Sequence, residues 1–401
     1  MATVTGIKEE LKDSLYVMHS TKNQMVNHIP LKLFGFDNNV FCITTTHEDN
    51  KKWDENFQKV NFKFSSDRLG KISHQQILQI DEFRMFLEED CKKIENADKI
   101  CWNITGGQRP YILAVYDLIK NMKDKTHYLL YLEGNSKKIS ITKFESGEIK
   151  PSFDGNCNED YAIEGLTIDI ALELMGYSTN GKDNLENILE NPTKIQKLTD
   201  FYSNFYDAYS SDENLRNLMP EFNINYKDFK GIIKKFPQIA NLTGDDIETE
   251  WKNYAKGKTF GYILEDMLLY LLLKSIKDNK LEKYVAGVYP STKISAGYME
   301  TNETVDEFDT LILTKTGQII SFEAKSGSMS ADVAKSTNYS TYAISGVYGL
   351  PILITPRVKT EDNLDTKNGN ISKAIGAAKR ANLETWYLDK VVEKLKDKLS
   401  K

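Results

Sequence analysis

Between Leu15 and Leu132, short apolar runs alternate with stretches of helical period, and this alternation limits the fold more than any other feature. Strands are expected at Leu15–Met18, Asn39–Thr45, Val60–Phe64, Lys99–Ile104 and His127–Leu132. Helices are expected at Met25–Leu33 (against the grain of Pro30), Ile77–Ile94 and Tyr111–Met122, where apolar residues recur at helical spacing. Strands separated by helices of this length build βαβ units, and so a parallel sheet covered on both faces. Ligands of such sheets sit where loops leave the carboxyl ends of the strands. Here those loops are His19–Asn23, Thr44–Thr46 and Thr105–Arg109, the second of which brings Thr45 into consideration as a ligand contact.

At 401 residues the chain is too long for one core of usual size. A polar, turn-rich stretch from Glu145 to Gly155 ends the first unit, expected to span residues 1–155. Residues 156–250 read as a helical connector rich in Asn, Asp, Tyr and Phe, without repeat or low-complexity tract. Residues 251–401 read as a second α/β domain: a helix at Gly261–Ile276, strands at Leu311–Thr314, Ile319–Ala324 and Ile352–Thr355, and a terminal helix. No apolar run is long enough to cross a bilayer, and the N-terminal residues have no apolar signal core. Cys42, Cys91, Cys101 and Cys157 form no CxxC pair and are expected to be buried thiols in a reducing cytoplasm. A net charge of −6 argues against a bulk electrostatic nucleic-acid binder but permits a local basic cleft. The segment from Lys373 to Lys401 leans that way, with eight Lys/Arg against four Asp/Glu.

The sharpest chemical signal is Asp306-Glu-Phe-Asp309, an apolar run, a turn at Lys315-Thr-Gly317, and Ile319-Ile-Ser-Phe-Glu323-Ala-Lys325. Apolar runs on either side of a glycine turn predict a β-hairpin with Asp309 at the start of its first strand. Glu323 and Lys325, two apart on the second strand, project from one face. Two carboxylates meeting on a sheet beside a lysine suit a hard cation with oxygen ligands. Such an ion polarises a scissile phosphate, while the lysine positions water or offsets developing charge. Glu265, on the preceding amphipathic helix, offers a third carboxylate. The competing reading is a plain hairpin with a cross-strand ion pair. Charged residues at the ends of apolar strands are costly to bury unless paired or metal-bound, which favours the functional one.

A second signal is Asn103-Ile-Thr-Gly-Gly-Gln-Arg109, between a strand and a helix. Paired glycines allow close backbone approach, and the helix N-terminus favours an anion. The pattern is neither GxGxxG nor a Walker loop. A tight turn with Gly-Gly for steric reasons alone is the competing reading.

Helix Glu, then Asp, then Glu-x-Lys resembles the PD-(D/E)XK nuclease superfamily, with Glu265, Asp309, Glu323 and Lys325 at its metal-binding and catalytic positions. Phe308 stands where the eponymous proline would be. The glycine segment resembles the Asn-x-Thr-Gly-Gly-Thr-Lys signature of CARF (CRISPR-associated Rossmann fold) domains, which bind cyclic oligoadenylates. Thr105, Gly106 and Gly107 match that signature, and Gln108 and Arg109 replace its Thr-Lys, the arginine keeping a cation for phosphate. Ser20, Thr21 and Asn23 correspond to the family's other ligand loop, and Leu166-Thr-Ile168 with Leu174-Met-Gly-Tyr177 to the segment leaving the sensor. Together these resemble the ancillary effector nucleases of type III CRISPR antiviral systems. The resemblance implies a homodimer holding one cyclic oligoadenylate, with cyclic tetra-adenylate the first choice, across its two-fold axis. It further implies Mn²⁺ or Mg²⁺ in each nuclease site and allosteric activation of DNA or RNA cleavage.

Two rivals stay open. A stand-alone restriction or repair endonuclease would read DNA with its N-terminal domain and need no cyclic nucleotide. A non-catalytic ligand-sensing regulator would use the hairpin only structurally. The five histidines, His19, His28, His47, His74 and His127, show no ligand spacing and none lies in the nuclease part. His19, at a strand's carboxyl end, could touch a ligand, with a plain loop residue the expectation. Tyr339, Tyr342 and Tyr348 could stack on bases, with helix packing the expectation, and Lys335 could meet phosphate.

Overall fold

The computed structural model describes residues 4–37, 39–46, 53–90, 92–133, 138–150, 153–156, 162–183, 185, 260–296, 304–325, 329–355 and 370–400. Five parallel strands run in the order β3-β2-β1-β4-β5: β1 (Leu15–His19), β2 (Val40–Thr45), β3 (Leu69–Ile72), β4 (Lys99–Asn103) and β5 (Thr126–Glu133). Antiparallel β6 (Lys138–Glu145) follows β5 and carries β7 (Glu148–Ile149) and β8 (Phe153–Asn156). Both faces are covered, as the near-continuous apolar strands require. Leu15, Val17, Phe41, Ile43, Ile100 and Trp102 bury one face under α4 (His74–Ile77), α5 (Ile80–Met85), α6 (Lys92–Asn96) and α7 (Arg109–Asn121). Tyr16, Met18, Cys42 and Cys101 bury the other under α1 (Val4–Leu11), α2 (Met25–Phe34) and α3 (Trp53–Val60). The expected Rossmann-like parallel sheet is present, and its order reverses between β1 and β4.

Local details depart from the sequence expectations. Val60–Phe64 is not a strand: Phe57 and Val60 share a helical turn, and the Phe62 and Phe64 rings fold back onto Phe57. The third strand lies instead at Leu69–Ile72. The expected long helix at 77–94 is broken by the extended Gln79 and by a π-helical turn over Phe86–Asp90. Pro30 does sit inside a helix. A proline there leaves the carbonyl four residues back without its helical donor. That carbonyl, of Val26, accepts from the Asn103 side chain at 3.0 Å.

The second sheet has the order β14-β13-β12-β11-β10-β9. Short helix α8 (Ile168–Glu173) leads into β9 (Tyr177–Thr179), which joins this sheet at its edge. Residues 186–259, the greater part of the expected connector, lie outside the described residues. Then come α9 (Phe260–Asp278), the long antiparallel pair β10 (Val285–Ala296) and β11 (Thr304–Thr314), β12 (Ile319–Ala324), α10 (Ala331–Ser345), β13 (Leu350–Thr355), α11 (Asn370–Arg380), β14 (Glu384–Tyr387) and α12 (Val391–Ser400). β11 and β12 form the expected hairpin, and β12, β13 and β14 are parallel. Ile312, Ile320, Phe322, Ile352, Ile354 and Trp386 pack under α9 and α12. On the opposite face Leu353 meets alanines of α10 and α11.

The two sheets share an apolar junction. Met25, Ile29, Leu311, Leu313, Ile319 and Ile344 belong to one buried cluster. The side chains of Met25 and Ile29 lie directly against the hairpin turn at Gly317. Ile163 N–H donates to the Lys315 carbonyl at 3.0 Å beside them. Among the described residues no helix is long and apolar enough to cross a membrane.

Candidate functional site

The hairpin register, with Thr310 opposite Phe322, sets Asp309 beside Glu323. Asp309 Oδ2 accepts the Ala324 N–H at 2.7 Å, which locks the carboxylate across the strand pair. Lys325 Nζ lies 2.5 Å from Glu323 Oε1. Glu265 enters from α9 near enough to act electrostatically on both Asp309 and Lys325. All four expected nuclease residues therefore converge.

Their ionisation reflects crowding of negative charge. Burial first, then Glu323 and Glu265, push the Asp309 carboxyl up to about 7. Burial also raises Glu265, with Lys325 working against it and Asp266, Glu323 and Glu307 with it. Burial would lower the Lys325 ammonium, yet Glu323, then Asp309 and Glu265, hold it above its ordinary value. Buried carboxylates that suppress one another's charge form an oxygen-rich donor set suited to a hard divalent cation. Among the described residues, however, no three His, Cys, Asp or Glu side chains already form a cage for a metal ion. Glu323 is turned to Lys325, so a cation would have to share that carboxylate with the lysine.

The loops after β1 and β4 meet at the switch point of the first sheet. A Cβ on Gly106 would run into the Thr21 methyl, and one on Gly107, at φ +97°, would press on His19 and Tyr111. Only glycines let the loops close this tightly. Gln108 and exposed Arg109 open α7, and the Arg109 side chain has no partner among the described residues. Thr105 serves the turn itself: its N–H donates to Asn103 Oδ1 and its Oγ1 accepts the Leu132 N–H at 2.8 Å. Ser20 is buried, its Oγ accepting from Gln24 Nε2 at 2.9 Å. Thr45 is buried at the end of β2, one strand from the switch point. Thr21 and Asn23 are half-buried and line the loop with exposed Lys22. His19 is not a plain loop residue: it ends β1, is buried, and sits under Gly107 against Tyr111.

Asn103, Asn27 and Gln24 were not singled out as site residues. The Asn103 amide reaches Tyr16 Oη, Val26 O and Asn27 Oδ1, and the Asn27 amide reaches His19 O and Gln24 Oε1. This buried network ties both loops to α2. An asparagine closing an apolar strand just before the glycine pair was its one visible signal.

Helix α10 begins six residues beyond Lys325 and lies over the strand face that Ser321, Glu323 and Lys325 share, with Thr341 Oγ1 2.6 Å from Ser321 Oγ. Thr337, Thr341 and Ser345 each donate to the carbonyl four residues back, which lets this polar helix face be buried. Tyr339 and Tyr342 do not pack as expected: they are 71% and 50% exposed on the opposite face, while Tyr348 is half-buried. At its far end the helix meets the first unit, where Asn23 Nδ2 donates to the Ser345 carbonyl.

No family profile and no curated protein matches the sequence. Solved structures do match in fold. Can2 from Sulfobacillus thermosulfidooxidans, solved in complex with cyclic tetra-adenylate, aligns over 98% of both chains at TM-score 0.61 and 14% identity. Protein VC1899 from Vibrio cholerae aligns over 96% of this chain and 97% of its own, at TM-score 0.61 and 11% identity. The chain thus has, over nearly its whole length, the two-unit α/β fold of these proteins.

Proposed function

We propose that the chain is a cyclic-oligoadenylate-activated, metal-dependent endonuclease of type III CRISPR defence. The observation that carries this reading is the convergence of Glu265, Asp309, Glu323 and Lys325 in one cluster of the second unit. The full-length likeness to Can2, which was solved with cyclic tetra-adenylate, supports an activator site at the switch point. Thr21, Asn23, Gly106, Gly107, Gln108 and Arg109 line that crevice, where helix α7 and Arg109 offer positive charge to phosphates.

In the nuclease site Asp309 and Glu323 hold a divalent cation, with Glu265 as third carboxylate. Mn²⁺ or Mg²⁺ there supplies Lewis-acid polarisation of the scissile phosphate. Lys325, kept protonated by its carboxylate neighbours, orients the attacking water and offsets charge growing on the phosphate oxygens. A homodimer is supported by exposed Leu113 and Tyr116 on α7, together with Ile80 and Met85 on α5, next to the glycine loop. Meeting there, two protomers would bring both ligand loops to one axis.

The test is cleavage of labelled single-stranded DNA, single-stranded RNA and plasmid with Mn²⁺, with and without cyclic tetra-adenylate, for the native chain and Glu323→Ala. Activator-dependent cleavage that disappears in the variant is expected. Cleavage that ignores the activator removes the sensor from the reading, and cleavage that survives Glu323→Ala removes the site.

A further inference from the structure

On the side of the second unit covered by α10 and α11, the outward residues do not match the rest of the chain. Helix α10 exposes Lys335, Tyr339 and Tyr342 at spacings of four and three, so they share one stripe. Helix α11 packs alongside through Ala374, Ala377 and Ala378 against Ala334, and its exposed side holds Lys373, Lys379 and Arg380. No ion pair or side-chain hydrogen bond engages any of these four cations among the described residues. Asp332 is the one acidic residue on the two helices. The surface is thus cationic and aromatic on a chain with net charge −6. It also adjoins the site, because α10 covers the strand face from which Glu323 and Lys325 project.

Exposed aromatic rings beside cations that are unengaged among the described residues fit one kind of partner. Bases with free π-faces stack on the rings while phosphates meet the cations. A duplex offers no free faces along its length, and a second protein copy would leave the four cations uncompensated. We propose that the outer side of α10 and α11 is the track for a single-stranded nucleic acid, with Tyr339 and Tyr342 stacking on bases. Lys335, Lys373, Lys379 and Arg380 hold its backbone and lead it to the carboxylate cluster. The proposal rests on the nuclease reading for the purpose of the track, though not for its existence.

The experiment measures binding of fluorescein-labelled 20-nucleotide DNA and RNA strands, and a matching duplex, by anisotropy. It uses the full chain with cyclic tetra-adenylate and no divalent metal, and Mn²⁺-dependent cleavage is followed in parallel. Tyr339→Ala with Tyr342→Ala should weaken single-strand binding by about tenfold or more, and the double Phe variant should restore it. Lys379→Gln with Arg380→Gln should reduce the slope of log affinity against log salt by about 1.4. Circular dichroism confirms that these surface variants are folded.

Single-strand binding unchanged by the Tyr→Ala pair, or absent in the native chain, overturns the track. So does a duplex bound as tightly as single strands. If the Tyr→Ala pair splits a dimer in sedimentation while oligonucleotide binding is kept, the face is a protein interface. Binding that depends on the tyrosines without any cleavage by the native chain keeps the track and sinks the nuclease reading. Cleavage with tyrosine-independent binding does the reverse.

Discussion

The side-chain amide of Asn23 donates to the main-chain carbonyl of Ser345 at 3.3 Å, across 322 residues of sequence. Asn23 belongs to the loop at the switch point, and its Oδ1 also accepts the Met25 N–H at the start of α2. Ser345 ends the helix that lies over the strand carrying Glu323 and Lys325. If the Asn23 loop binds the proposed activator, a change of that loop would act directly on this helix. The next residue, Gly346, has φ +64° and ψ −154°, a region open essentially to glycine, and a Cβ there would stand 2.7 Å from Asn23 Nδ2.

Gly346→Ala should therefore lower unfolding stability by about 1–3 kcal/mol, and Asn23→Ala by about 1 kcal/mol. Because both act on one contact, the double variant should lose less than the sum. Urea unfolding of the four proteins measures this, and strict additivity would show that the two positions do not communicate.

Asn103 and Arg109 should separate architecture from recognition. Asn103→Ala strands the Val26 carbonyl and the Thr105 N–H, and should cost about 1–3 kcal/mol along with activator binding. Exposed Arg109→Ala should stay within about 0.5 kcal/mol of native stability. It should still weaken cyclic tetra-adenylate binding at least about tenfold in calorimetry, and an unweakened Arg109→Ala would move the phosphate site elsewhere.

Lys325→Met should reduce kcat by about 10²–10³ with little change in KM, because the ammonium acts on charge formed during the reaction. Single-turnover cleavage at saturating Mn²⁺ is the measurement. A change confined to KM would make Lys325 a binding residue.

His19 and His28 give the fold a definite pH signature. Burial, offset by the Ser20 carbonyl for one and by Asn61 for the other, pushes both down to about 4. Each is neutral in the native state and protonates near its ordinary 6.5 when unfolded. Their contribution is complete above about 6.5 and is lost as pH falls from there towards about 4, by about 1.4 kcal/mol per pH unit each. Urea unfolding between pH 7 and 4.5 should show a shallower decline for His28→Gln, and an unchanged slope would mean that His28 titrates normally in the fold.

The carboxylate cluster was legible because local rules fix most of its members: strand alternation for Glu323 and Lys325, helix order for Glu265. The Gly106-Gly107 turn was legible for the same reason. Asp309, expected at a strand start, stands instead inside β11, which begins at Thr304 because β10 pairs with it from there. What escaped depends on neighbours remote in sequence. The Val60–Phe64 run has strand composition, yet Phe62 and Phe64 are claimed by Phe57. Periodicity carried the helix expectation through Gln79, where the backbone is extended. Exposure of Tyr339 and Tyr342 follows from α10 burying its hydroxyl column instead, a choice set by Ser321 on another element. Ser20 and Thr45 sit at the expected strand ends but face inward.

The apolar seat of Met25 and Ile29 on the turn at Gly317 bears on how this protein can be taken apart. Contacts between domains of one chain are usually polar enough that each half stands alone in water. Here, cutting the chain between the units would leave a wet hydrophobic scar on both pieces. The first unit is not an interchangeable cartridge: grafted onto another domain, it would need that domain to offer an equally apolar hairpin tip, and without one the graft would tend to clump.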